Sequence, residues 1–227
     1  HIPEMLGEFK SCGATECIRR IDKYIERYNL TQDNKAGFLR LRKLYNSANP
    51  MDPVMLYTLI CYSFNCQIRF NSKLGYNSSF GKDRSSFNTA LREKFVAFGD
   101  RLQEIDIQFF SKDFRQVDVT GLGKDDFVYC DPPYLVACAV YNDGKRGFNG
   151  WTAEDDKKLF EMLDTIDRAG VKFALSNMLE SKGKSNDPLK EWAVKYNIRH
   201  LDSGYSNCSY QRGSRTSKDV EILITNY

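Results

Sequence analysis

The apolar residues of this chain change their spacing near its middle. Before residue 105 they recur at helical intervals. Ile18, Ile21, Ile25 and Tyr28 form one stripe, widened by Tyr24, and Ile2, Met5, Leu6 and Phe9 sit at helical offsets ahead of it. Thr31 is placed to cap a second helix running through Phe38, Leu41 and Leu44 to Tyr45. Pro50 and Pro53 punctuate the chain before 54–64, an almost wholly apolar run that predicts a buried helix. The pattern then alternates. Ile68-Arg69-Phe70-Asn71 and Tyr76-Asn77-Ser78-Ser79-Phe80-Gly81 flank the turn-forming Ser72-Lys73-Leu74-Gly75, which predicts a β-hairpin with polar, basic strands. Arg84 follows the hairpin, and 88–102 reads as helix again.

From residue 105 the period is that of an α/β unit. Short apolar runs at 105–110, 127–130, 171–175, 198–201 and 220–224 predict strands. Between them, 152–169 predicts a helix: Thr152 as N-cap, Asp155 at the third helical position, Leu159, Leu163 and Ile166 on the apolar face, Gly170 as the stop. Strand, long helix and strand in succession imply right-handed parallel crossovers and a sheet flanked by helices. No internal repeat or low-complexity segment interrupts the chain.

Composition adds little until it is divided. Hydrophobic residues make up 41% of the 227 and charged residues 28%, an ordinary globular balance. No apolar run approaches the roughly 20 residues of a membrane helix. The opening His1-Ile2-Pro3-Glu4 shows neither a signal-peptide core nor an initiator Met, so a cytoplasmic location is expected and membranes are not. Net charge is only +3, but residues 1–112 carry 17 Lys and Arg against 12 Asp and Glu, and the remainder 16 against 18. Within 61–103 the count is 7 against 3, interleaved with Asn, Ser and aromatics. That pattern suits a phosphate backbone, although a solvated face has the same composition. The seven Cys (12, 17, 61, 66, 130, 138, 208) include no CxxC, and His1 and His200 are the sole histidines. Reduced, buried thiols account for them better than zinc, and no metal is expected.

The sharpest chemical signal is Asp131-Pro132-Pro133-Tyr134, directly after the apolar run 127–130. Ligands of open α/β sheets bind just beyond the carboxyl ends of strands. Two prolines fix φ and remove two donors, leaving carbonyls to accept. A carboxylate, an acceptor-rich turn and an aromatic ring can hold an exocyclic amine by its N–H groups while the ring stacks on its base.

These residues resemble the catalytic motif of amino-methyltransferases, and their setting is similar to the Dam-like D12 class of DNA adenine-N6 methyltransferases. Phe70-Asn71 and Phe80-Gly81-Lys82 resemble that family's DNA-contacting hairpin, with Ser79 where Pro is common. Ser111-Lys112-Asp113-Phe114 resembles its motif for the adenine of S-adenosylmethionine. Phe173-Ala174-Leu175-Ser176-Asn177, Leu189-Lys190-Glu191-Trp192 and the closing strand complete the series. The resemblance implies methyl transfer from S-adenosylmethionine to N6 of an adenine flipped from double-stranded DNA, within a restriction–modification setting and with GATC as the best guess of the site. Tyr134 would stack on the base, while Asp131 and the Pro132 carbonyl accept from N6, with Pro133 stiffening the turn. Asp113 and Phe114, with Asp131 and Pro132, would face the cofactor. Arg69, Asn71, Lys73, Lys82 and Arg84 would contact DNA, Arg and Asn suiting base edges and Lys phosphates. Trp151 reads as a packing residue.

The fold so implied is an incomplete Rossmann-like S-adenosylmethionine-dependent methyltransferase sheet (1–17 and 105–227, its N-terminal strands absent). A mainly helical target-recognition domain carrying the hairpin would occupy 18–104. Family members begin with a Lys-containing segment, a Gly-rich Phe-x-Gly-x-Gly turn and an acidic residue for the ribose, none of which occurs in this sequence. A βαβ unit needs roughly 30 residues or more, so a segment of about that length is expected upstream of His1. Truncation, an N-terminal segment outside the sequence, and a complementary fragment on another chain are the alternatives. The competing function is a catalytically inactive DNA-binding remnant, and the sequence does not set the oligomeric state, a monomer being the default.

Overall fold

The computed structural model describes residues 1–71, 73–136, 150–181, 183–201 and 219–227. They form two units, His1–Ser111 and Lys112–Tyr227. Among the described residues no helix is long and apolar enough to cross a membrane.

The first unit is helical. Helix α1 (Ile2–Tyr28) carries Pro in its first turn, where a missing N–H is harmless, and kinks at Gly13, whose φ of 72° is left-handed. Helices α2 (Lys35–Ser47), α3 (Pro53–Cys61) and α4 (Thr89–Glu104) pack with it. Met5, Phe9, Cys17 and Ile21 of α1 are buried with Phe38, Leu41 and Tyr45 of α2, most of α3, and Phe95 and Leu102 of α4. Phe9, Tyr57 and Phe95 meet with ring centroids 4.9–5.2 Å apart. A Cβ at Gly99 would lie 2.7 Å from that of Ala14, so glycine is what lets α4 approach α1. Asp52 caps α3 by accepting from the N–H groups of Val54 (2.8 Å) and Met55 (3.2 Å), and also from Arg20 (2.8 Å) and the Tyr24 hydroxyl.

The second unit is a mixed sheet with helices on one face. Strands β1 (Phe127–Cys130), β2 (Lys172–Ser181), β3 (Lys184–Ser185), β4 (Asn197–Leu201) and β5 (Val220–Thr225) are arranged β1-β2-β5-β4, with β3 folded back on β2. Strand β1 runs parallel to β2, Cys130 opposite Leu175, with helix α5 (Ala153–Arg168) between them in sequence. Helix α6 (Asp187–Ala193) precedes β4. Leu159, Phe160, Leu163 and Ile166 of α5 pack on Phe173, Leu175, Ile222 and Ile224, and Trp192 of α6 stacks on Phe160 with centroids 4.4 Å apart. Thr152 and Asp155 form the predicted capping box, and Gly170, at φ 74°, ends the segment.

The structure corrects several expectations. Helix α2 is capped three residues late, by Asn34, whose oxygen accepts from Gly37 N (3.0 Å); the Thr31 hydroxyl instead accepts from Asn34 N (3.1 Å) and pairs with Asp33. The buried helix ends at Cys61, and a 3-10 turn follows at Phe64–Cys66. Among the described residues the hairpin shows two isolated antiparallel bridges, Phe70 with Tyr76 and Ser63 with Phe80. Residues 105–110 pair with no strand among the described residues, because alternation sets which side chains bury but supplies no hydrogen-bonding neighbour. The Lys10 ammonium takes the carbonyls of Ile105 (3.2 Å) and Ile107 (2.8 Å) instead. Among the described residues parallel pairing holds for β1 and β2 alone, since β5 enters antiparallel between β2 and β4. By compactness the described residues divide at 111/112 with 1–17 in the first unit, a division of packing that leaves the expected division of roles untouched.

Candidate active site and nucleic-acid interface

Strand β1 ends at Cys130, and 131–134 follow as the chain leaves the sheet. Asp131 and Pro133 are exposed, while Pro132 and Tyr134 are half-buried. The Tyr134 hydroxyl lies 3.2 Å from Asp131 Oδ1 and 3.1 Å from Glu221 Oε1. Glu221 comes from β5, opposite Met178 of β2, and is only 8% exposed. Burial, then the negative charges of Asp131 and Glu221, push the phenol well above its ordinary pKa, so it stays protonated. Cys130 is likewise held as a thiol by burial, its pKa pushed up to about 11. Beside the turn, the Tyr129 hydroxyl meets Ser176 Oγ at 2.9 Å. Asn177 is fully buried; its oxygen accepts from Met178 N (2.8 Å), and its amide nitrogen has no partner among the described residues.

Asp113 and Phe114 open the same unit in a short 3-10 turn. Asp113 caps that turn at Arg115 N (3.0 Å) and takes the Arg115 guanidinium on both oxygens (2.7 and 2.6 Å). The Arg115 hydrogen bonds hold its pKa down at about 2. Arg115 also reaches Asp155 (3.1 Å) in the first turn of α5. The Phe114 ring lies against Trp151, centroids 5.4 Å apart. Trp151 donates to Asp156 (2.6 Å), whose other oxygen accepts from Asn186 (2.9 Å), and Asn186 caps α6 at Leu189 N (3.2 Å). Trp151 therefore packs and anchors, as its position suggested. Asp156 is fully buried with neutral donors as its described partners; burial raises its pKa more than the bonds from Trp151 and Asn186 lower it.

In the first unit the basic segment wraps on α2. Asn46 behaves like a strand edge: its oxygen accepts from Tyr76 N (2.8 Å) and its nitrogen donates to Tyr76 O (3.0 Å). One turn earlier, Arg42 donates to Ser78 O (2.9 Å), and Phe38 meets Phe80 with centroids 5.5 Å apart. The opposite side of this segment is held by Ser78 Oγ, which donates to Gln67 O (2.7 Å) and accepts from Arg69 N (3.1 Å). Asn71 closes the tip, its oxygen accepting from the N–H groups of Lys73 (2.9 Å) and Gly75 (3.0 Å). Leu74 there has φ 58° and is 63% exposed. Arg69, Lys73, Lys82 and Arg84 are exposed, and the Arg84 guanidinium lies 5.0 Å from the Phe64 ring centre.

Sequence pattern did not single out Glu221, Asn46 or Arg42. For Glu221 a signal existed, one acid within the otherwise apolar 220–224. For Asn46 and Arg42 there was none, because helical spacing does not say which polar face meets another segment.

A mixed sheet with this turn at a strand end, in a chain that also carries a helical unit with a basic loop, is consistent with an S-adenosylmethionine-dependent methyltransferase-like fold. The chain belongs to the D12 class N6 adenine-specific DNA methyltransferase family, whose sequence model matches residues 10–207. It is 44% identical over 227 residues to type II methyltransferase M.FokI of Planomicrobium okeanokoites, covering 100% of this chain and 34% of that protein. Modification methylase StsI of Streptococcus sanguinis is 40% identical over 228 residues (100% and 34%). Modification methylase LlaI of Lactococcus lactis subsp. lactis is 38% identical over 224 residues (99% and 34%). The chain thus spans about a third of the length of these curated relatives.

Proposed function

We propose that this chain carries the catalytic turn and the target-reading loop of a DNA adenine-N6 methyltransferase that uses S-adenosylmethionine. The observation that carries the reading is 131–134: an exposed carboxylate and a half-buried phenol ring, joined by two prolines, at the end of a sheet strand. A target base flipped from the duplex stacks on the Tyr134 ring. The Asp131 carboxylate and the Pro132 carbonyl accept the two N–H bonds of its amine, which leaves the nitrogen lone pair normal to the base. S-adenosylmethionine supplies an electrophilic methyl group when bound. As nitrogen bonded to the methyl carbon, the carbon–sulfur bond would break and S-adenosylhomocysteine would leave; Asp131 would stabilise the positive charge gained by nitrogen, and the surplus N6 proton would then go to solvent. Holding the amine in line removes most of the orientational barrier.

The residues present fit the cofactor's adenosyl part. Phe114 offers a half-buried ring held by Trp151, and Asp113 keeps acceptor capacity beside Arg115, with 39% of its side chain exposed. On the duplex, Arg69 and Asn71 face base edges, Asn71 through its amide nitrogen because its oxygen closes the turn, while Lys73, Lys82 and Arg84 meet phosphates. The division of roles, 18–104 for the target and the remainder for chemistry, belongs to the same proposal. GATC rests on the Dam-like resemblance. The names of the relatives at 38–44% identity favour a site particular to a modification system, so GATC is one arm of the test.

The experiment incubates the intact protein with tritiated donor and a pool of adenine-containing duplexes, GATC among them, and maps N6-methyladenine. Label on adenine in one short sequence, lost in Asp131→Ala, is the expected result. Tight duplex binding with no transfer to any sequence would leave a DNA-binding remnant.

A further inference from the structure

The Tyr134 hydroxyl has one hydrogen and two carboxylates within reach at nearly equal distance, Asp131 Oδ1 at 3.2 Å and Glu221 Oε1 at 3.1 Å. A hydroxyl carries one hydrogen, so at any instant it goes to one of the two carboxylates. The two acceptors differ in setting. Asp131 is exposed at the end of β1, whereas Glu221 is 8% exposed and fixed by its strand, opposite Met178 on one side and Leu201 on the other. Because β5 runs antiparallel to β2, its first residues arrive at the sheet end where β1 terminates. The hydroxyl is held far above its ordinary pKa and so always has its hydrogen to give.

On the functional reading above, Asp131 must turn a lone pair and its full charge toward the target amine. A phenol hydrogen on Asp131 Oδ1 would draw off part of that charge. We infer that Glu221 is a positioning residue of the active site: it takes the Tyr134 hydrogen when the target amine arrives, so that Asp131 is released while the Tyr134 ring stays in place. No bond to carbon is made or broken in this step; one hydrogen bond replaces another. A carboxylate that merely satisfied a half-buried phenol would have no reason to change with substrate.

The test is a double-mutant cycle in single-turnover methylation by the intact protein at saturating donor and duplex. Glu221→Ala with Tyr134 present is expected to slow methyl transfer about tenfold or more, the range of one charge-assisted hydrogen bond. Glu221→Gln, which keeps the shape and a weaker acceptor, is expected to slow it roughly threefold. Duplex affinity should stay within about twofold in both, because the exchange redirects one hydrogen bond and leaves the stacking ring in place, so its effect falls on the charge that develops in transfer. In a Tyr134→Phe background, where no hydroxyl competes for Asp131, each Glu221 change should cost less than about twofold relative to Tyr134→Phe alone. If the Glu221 changes cost the same in both backgrounds, or nothing in either, the inference is overturned. Should Glu221→Ala not fold, the Glu221→Gln pair decides by the same comparison. Wild-type protein that methylates no duplex would instead bring down the functional reading itself, a result the cycle separates from loss of coupling alone.

Discussion

The turn 131–134 and the loop 67–84 are both irregular segments to which the proposed function assigns a ligand, yet they are held by different means. The turn is stiff by covalent structure, with two prolines locking φ directly after a sheet strand. Among the described residues the Tyr134 hydroxyl ties it onward, to Glu221. The loop, among the described residues, has a tip closed by Asn71 and two isolated bridges, and is held instead by side chains of α2 one turn apart, Arg42 and Asn46, on the main chain of Ser78 and Tyr76. Methyl transfer tolerates little error in the line of attack, whereas a reading surface must settle on a duplex whose shape varies with sequence. On the proposed function, stiffness would sit where the chemistry is placed, and side-chain fastening where recognition is placed.

The largest effect that would break this comparison is expected at Asp131. Asp131→Ala should lower the single-turnover rate by at least about a hundredfold, the scale of losing one group aimed at transition-state charge, while duplex affinity stays within about twofold. If affinity fell in step with rate, the turn would be a binding element and the contrast would dissolve.

Next in size are two carboxylates that brace the units from opposite electrostatic settings. Asp52, half-buried, has Arg20, the Tyr24 hydroxyl and two N-cap donors; burial pushes its pKa up, but the Tyr24, Met55 and Arg20 bonds outweigh that and hold it below 3.8. Asp156, fully buried, has Trp151 and Asn186, and burial leaves its pKa above 3.8. Removing either to Ala should cost about 2–4 kcal/mol in denaturant unfolding, from lost capping and unpaired donors. Their pH dependence should have opposite sign. At Asp52 the unfolded chain holds the proton more tightly, so its contribution is complete above about pH 4 and is lost as pH falls through the folded value. At Asp156 the folded chain holds it more tightly, so the proton-linked part is present below its ordinary value of 3.8 and is lost as pH rises through the folded value. Unfolding curves of wild type and each variant between acid and neutral pH would show the first gap widening with pH and the second narrowing. Parallel gaps would refute the assignment.

A smaller loss is expected at Asn46. Asn46→Ala leaves the N–H and carbonyl of Tyr76 without their partner, so discrimination between the methylated sequence and a random duplex should drop about tenfold, or ~1.4 kcal/mol, with random-duplex affinity nearly unchanged. Competition binding measures both. The smallest belongs to Lys82, 72% exposed, where Lys82→Ala should weaken all duplexes a few-fold and reduce the salt slope by about one.

The chain's periodicities were enough to locate most of its elements, because burying one face of a helix or strand dictates where apolar residues stand. Helices α1, α4 and α5, the capping box at Thr152 and strands β1 and β5 follow from that rule, whereas β4 was marked by its apolar residues although every position of it is exposed. Local chemistry also marked 131–134, prolines and a carboxylate directly after a strand, as the candidate site. Tertiary structure alone decided which main-chain groups pair. Whether 105–110 joins a sheet, whether 68–81 forms a ladder, and that β5 inserts antiparallel depend on partners far away in sequence. For that reason Glu221 reaches Tyr134 across 87 residues and Asn46 reaches Tyr76 across 30, contacts that no local pattern encodes.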